Sequence, residues 1–171
     1  MTMRNAIVVL ALAAATSAYA ADKPCSSADS AAADKAIDRV VTWQQLYKTW
    51  QDYGHCDQGP TADNFTDALM RLTVAWKKVS DLSGQMRSDA KYRDFVMVHV
   101  KSESAKDDRA SVFSRAKKDC PGGQEAFCAD LVDAINQADE ADAAKDKANA
   151  RPTLAPMAPM APLTPAAPAK K

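Results

Sequence analysis

Apolar residues through the middle of this chain recur every three or four positions, the period of a helix that buries one face. Ile37, Val40, Trp43, Tyr47 and Trp50 advance in steps of three, three, four and three, which predicts a single helix over residues 27–53 ended by Gly54. Phe65, Leu69, Leu72, Trp76 and Val79 alternate steps of four and three, the seam of one helix lying along another. Pro60-Thr61 should open this second helix, with Thr61 as N-cap and Asp63 placed against the helix dipole, and Gly84 should break the pattern. A third helix is expected over residues 88–99, where Tyr92, Phe95, Val96 and His99 share a side. Ser104-Ala105-Lys106-Asp107 has the form of a capping box and predicts the start of a fourth, burying Val112, Phe113 and Ala116. A fifth begins near Gln124 and carries Phe127, Leu131, Val132 and Ile135. After Ala138 large apolar residues stop, so Asp139 to Ala150 reads as a solvated helical extension with no face to bury. Val96-Met97-Val98 is the one patch of competing strand propensity and is too short to build a sheet. The expected fold is a small all-α bundle of about five helices, one domain over residues 21–139.

Both ends have a different character. Residues 1–20 combine Arg4, an apolar run from Ala6 to Ala15 and the small-x-small site Ala18-Tyr19-Ala20, the layout of a secretory signal peptide. The run is about half the roughly 20 apolar residues that a bilayer span requires. The mature protein is therefore expected in a bacterial periplasm or outside the cell, with no membrane insertion after cleavage. Residues 140–171 form a low-complexity tail in which Pro156, Pro159, Pro162, Pro165 and Pro168 recur every third position. Polyproline II has three residues per turn, so these prolines would line one edge of a rod reaching about 60 Å. A spacer or disordered tail is the plain reading; the functional one is a docking strip for an aromatic groove or an envelope tether through Lys170 and Lys171.

Without the signal, 21 basic residues face 22 acidic ones, and residues 21–139 hold 16 against 19. A balance near minus three gives no electrostatic reason to expect nucleic acid or an anionic membrane as partner. Export makes disulfides the expected state of Cys25, Cys56, Cys120 and Cys128. Cys120 and Cys128 bracket the turn Pro121-Gly122-Gly123 and form the favoured pair. Geometry opposes the remaining pair, Cys25 with Cys56, because a continuous helix over residues 27–53 separates its ends by about 40 Å. That bridge requires residues 25 to about 34 to be extended and to fold back along the helix; otherwise Cys56 meets Cys120 or Cys128.

Reactive side chains are few. His55 and His99 are the whole supply of imidazole, no Cys-x-x-Cys or haem-attachment motif exists, and the calcium loop pattern is absent, so no metal or cofactor is expected. No recognised motif frames a serine or cysteine nucleophile, and a hydrolase would have to use His55 or His99 as base. His99 is expected to be a partly buried histidine bonded to a neighbour. Asp57, Asp63 and Asp67 gather near the start of the second helix, where carboxylates commonly complement the dipole. Trp43, Trp50 and Trp76 read as core. No catalytic residue is assigned, and His55, Asp57, Asp63, Asp67 and His99 form the candidate interaction surface.

The series Tyr53, Cys56-Asp57, Gly59, Phe65-Thr66-Asp67, Trp76, Phe95-Val96, His99, Cys120-Pro121 and Cys128 resembles small exported helical proteins grouped around the immunity proteins of type VI secretion amidase effectors. The resemblance spans about residues 43–135, and the proline-periodic tail lies outside it. It implies a periplasmic helical domain, in many cases a homodimer, that binds and blocks a cell-wall-cleaving enzyme delivered by neighbouring cells. The expected function is thus a non-enzymatic protein-binding role of the immunity type. The alternative is an envelope-associated structural or stress protein anchored by its tail.

Overall fold

The computed structural model describes residues 23–150; the expected signal peptide and the proline-periodic stretch lie outside the described residues. Seven α-helices account for most of this part: α1 (Ser27–Ile37), α2 (Trp43–Tyr53), α3 (Gly59–Ala75), α4 (Val79–Ser88), α5 (Ala90–Val100), α6 (Arg109–Lys118) and α7 (Glu125–Asn149). Short 3-10 turns at Gly54–Cys56 and Glu103–Ala105 complete it, with no strand among the described residues. The all-α expectation holds, and the two extra helices arise where predicted helices divide.

The first division falls between Ile37 and Trp43. Thr42 adopts extended backbone and its hydroxyl accepts from the Gln45 amide, so a new helix is capped where the apolar spacing alone reads as continuous. α1 is closed at its other end by a complete capping box, Ser26 with Asp29. The break turns α1 and α2 into a hairpin, which removes the geometric objection to the first disulfide: Cys25 and Cys56 are bonded, with their Cα atoms 4.9 Å apart. Cys120 and Cys128 form the second bridge, Cα to Cα 6.1 Å.

The second division occurs at Trp76–Lys78 and not at Gly84, which lies inside α4. Trp76 and Lys78 both take left-handed backbone, at φ 56° and 50°. Such conformations cost side-chain-bearing residues energy, and surrounding contacts must hold them. Two indoles do so here. Trp76 Nε1 donates to Asp119 O at 2.9 Å, and Trp43 Nε1 donates to Lys77 O at 2.8 Å. Trp43 is buried, while Trp50 and Trp76 are half-buried against the core.

Two predicted caps are corrected. α3 starts at Gly59 with Pro60 in its first turn, so Thr61 is already helical. Its buried hydroxyl bonds across to Ser30 and Asp34 of α1. Ser104 lies in a 3-10 turn and donates to Asp63, while α6 opens at Asp108 with no side-chain cap. α5 follows Asp89, whose carboxylate accepts from the Lys91 and Tyr92 amides at 3.0 and 3.1 Å.

The core joins Phe65, Leu69 and Met70 of α3 to Leu82, Tyr92, Val96, Leu131 and Ile135. α7 also has more to bury than expected beyond Ala138. Arg109 is 1% exposed; its Nη1 donates to Asp142 at 2.8 Å and Asp139 at 2.9 Å, and its Nη2 to Ser102 O at 2.7 Å. Burial opposes the charge of Arg109, but hydrogen bonds to Asp142 and Asp139 outweigh it and raise its pKa further. The same contact holds Asp142 below the usual carboxylate range.

Candidate functional site

Between α2 and α3 the chain makes the loop that carries His55, Cys56 and Asp57. Tight packing begins it, since a Cβ on Gly54 would meet Trp50 Nε1 at 3.0 Å. Cys56 is fully buried and tied to Cys25, which anchors the loop to the start of α1.

A second anchor comes from α5. His99, 3% exposed, places Nδ1 2.7 Å from Thr66 Oγ1 on α3 and Nε2 3.1 Å from Asp57 Oδ2 on the loop. Thr66 Oγ1 also lies 3.0 Å from Ala62 O, in donating geometry. A hydroxyl has one proton to give. Either Thr66 donates to Ala62 and accepts from Nδ1–H, which requires a doubly protonated ring, or it donates to Nδ1 of a neutral ring. In both arrangements Nε2–H donates to Asp57. The ring is packed by Phe95 and Phe65, with centroids 4.3 and 6.3 Å away.

Hydroxyl, imidazole and carboxylate in a row are the parts of a nucleophilic triad. Here the hydroxyl is out of reach, because Thr66 is 1% exposed and faces the protein interior from mid-helix. The row acts as a strut that fixes the loop to α3 and α5.

His55 is likewise inward. Its side chain is 3% exposed and Nε2 lies 3.8 Å from Asp29 Oδ2, too long for a hydrogen bond. Asp29 accepts from Ser26 and pairs with Lys23, and these hydrogen bonds lower its pKa to about 2. Asp57 Oδ1 and His55 Nε2 are buried without a hydrogen-bond partner among the described residues.

The five residues of the expected surface therefore separate. Asp57 and His99 come together at the base of the loop, while His55 turns toward Asp29; both imidazoles are 3% exposed and the Asp57 side chain 23%. Asp63 and Asp67 are exposed on α3; Asp63 accepts from Ser104, and Asp67 pairs with Arg71 one turn on. Sequence reasoning missed Asp29 and gave Thr66 no role beyond its place in the resemblance. Thr61, Thr66 and Thr73 are all buried on α3, and a run of threonines at inward helical positions was the available signal. Comparison with protein-family models, characterised proteins and solved structures finds no match to this chain.

Proposed function

We propose that this chain is an exported, non-enzymatic protein-binding domain that acts by contact, through the surface formed by the loop at residues 54–58 and the exposed side of α3 as far as Asp67. The observation that carries this reading is the double anchoring of the loop, by the Cys25–Cys56 bridge on one side and the Thr66–His99–Asp57 row on the other. A surface held in one conformation before it meets a partner avoids the ordering cost of association. Its exposed carboxylates suit a partner that presents cationic groups. Asp63 is bonded to a neutral hydroxyl, so its charge is available for such a contact.

The specific role we infer is inhibition of a cell-wall-cleaving effector, the immunity-type function implied by the sequence resemblance. Its support is the set of matching sequence elements, among which Cys56-Asp57, Thr66 and His99 belong to the double anchor. The test combines a pull-down with an effector challenge. A co-encoded effector should bind the mature protein, and reversal of charge at Asp63 and Asp67 to lysine should weaken that binding at least tenfold without altering the helical spectrum. If cells lacking the gene are no more sensitive to any co-encoded toxin, the immunity role is wrong. If the charge-reversed protein binds as well as the original, the surface is wrong.

A further inference from the structure

Away from the loop at residues 54–58, the end of α4, the first turns of α5 and the start of α7 border an open cleft of about 480 Å³. Sites that hold a small ligand commonly enclose roughly 300–1,000 Å³. Met86, Ala90, Ala126 and Phe127 give the cleft an apolar lining, into which Arg87 and Arg93 are set. The two guanidinium groups are in different states. Arg93 is neutralised by Asp130 at 3.0 Å. Arg87 is held through Nη1 alone, which donates to Ser83 Oγ at 2.8 Å and to Gln124 Oε1 at 2.7 Å. Ser83 is buried and itself bonded to Gln124, so the side chain that positions Arg87 is fixed in turn.

Whereas Arg71, Arg93, Arg109 and Arg115 each reach an aspartate, Arg87 makes no ion pair among the described residues. Its Nε and Nη2 also make no hydrogen bond there, and parallel N–H donors of this kind are what grip a carboxylate in a fork. Gly123 and Gln124 complete the rim. The Cys120–Cys128 bridge pins their turn against the first turn of α7, so this wall is in place before any ligand arrives.

We propose that this cleft binds an amphipathic carboxylate: the free edge of Arg87 takes the anionic oxygens, and the apolar body lies against Met86 and Phe127. The site is independent of the protein-binding surface above, so the failure of either reading leaves the other standing. Two sources share this chemistry, a free aliphatic acid and the C-terminus of a polypeptide with an apolar last residue. Calorimetric titration of the oxidised protein should use decanoate against decanol, and N-acetyl-alanyl-leucine against its C-terminal amide. At least one acid should bind, its neutral counterpart at least tenfold more weakly, and which acid does so identifies the source. Arg87→Gln should weaken acid binding by about tenfold or more, the usual effect of losing a charge-assisted hydrogen bond. Ala126→Trp should block the cleft by filling it from an exposed position while the charge remains. The proposal is overturned if neither acid binds at millimolar concentration, if acid and neutral analogue bind equally, or if either correctly folded variant binds like the original.

Discussion

Removing the two disulfides separately should destabilise the protein unequally, and the size of each effect follows from the chain each bridge closes. A cross-link restricts the unfolded chain more when the closed loop is longer. The sequence separations are 31 for Cys25–Cys56 and 8 for Cys120–Cys128. The chain-entropy relation then gives about 3.7 kcal/mol for the first and about 2.5 kcal/mol for the second at 25 °C. Burial does not separate the two, since each bridge joins a buried cysteine, Cys56 or Cys128, to a partly buried one, Cys25 or Cys120. Cys25→Ala with Cys56→Ala should therefore cost at least about 1 kcal/mol more than Cys120→Ala with Cys128→Ala. At about 4 °C per kcal/mol for a domain of this size, the expected losses in Tm are roughly 15 and 10 °C. Guanidinium titration of the two double variants, read by far-UV circular dichroism, measures the difference directly. Equal losses, or a larger loss from the Cys120–Cys128 pair, would refute the reasoning. Hydrogen exchange adds a local check, because amides of residues 54–58 should lose protection in the first variant and keep it in the second.

Three further outcomes are expected. Arg109→Met leaves Asp142 and the Ser102 carbonyl without their donor, so it should cost about 3 kcal/mol, with much of that recovered when Asp142→Leu is added; chemical denaturation of both variants checks this. His99→Phe should cost about 1–3 kcal/mol by leaving the Asp57 carboxylate without its donor, while Thr66 keeps its bond to Ala62 O, and exchange rates should rise in the 54–58 loop before they rise in α7. Acid should loosen α1 at its capped end. The Asp29 carboxylate titrates near 2 when folded against an ordinary value of 3.8, so its contribution is present above about pH 4 and is lost as pH falls toward 2; an Asp29→Asn variant should show less helix loss over that interval.

What the sequence made legible follows from which physical signals are local. Apolar spacing located α5 and α7 and the faces they bury, because the Tyr92–Phe95–Val96–His99 and Phe127–Leu131–Ile135 patterns depend only on helical geometry. The same spacing could not see helix ends held by tertiary bonds. Val40 and Trp43 continue the stripe of Ile37 across a real break, and Trp76 and Val79 continue that of Leu72 across another. The second break has no glycine at its left-handed positions to announce it; Trp43 and Trp76 hold it from elsewhere in the fold. Arg109 was equally hidden, because an arginine among polar neighbours becomes a core residue only once α6 and α7 lie together.

For the site, the inward placement of His99 could be read from its side of the helix, but its partners could not. Thr66 and Asp57 lie 33 and 42 residues away, and nothing in the spacing of polar residues encodes contacts that far apart. The observed contacts change what the two histidines can do. Both nitrogens of His99 are engaged, with Thr66 and with Asp57, and Nε2 of His55 is buried without a hydrogen-bond partner among the described residues. His99 therefore contributes to the loop by holding it at Asp57. The disulfide fixes that loop at Cys56 and the His99 row fixes it one residue later, at Asp57. Two anchors on adjacent residues leave the surface above them little conformational freedom, which suits recognition by shape and charge.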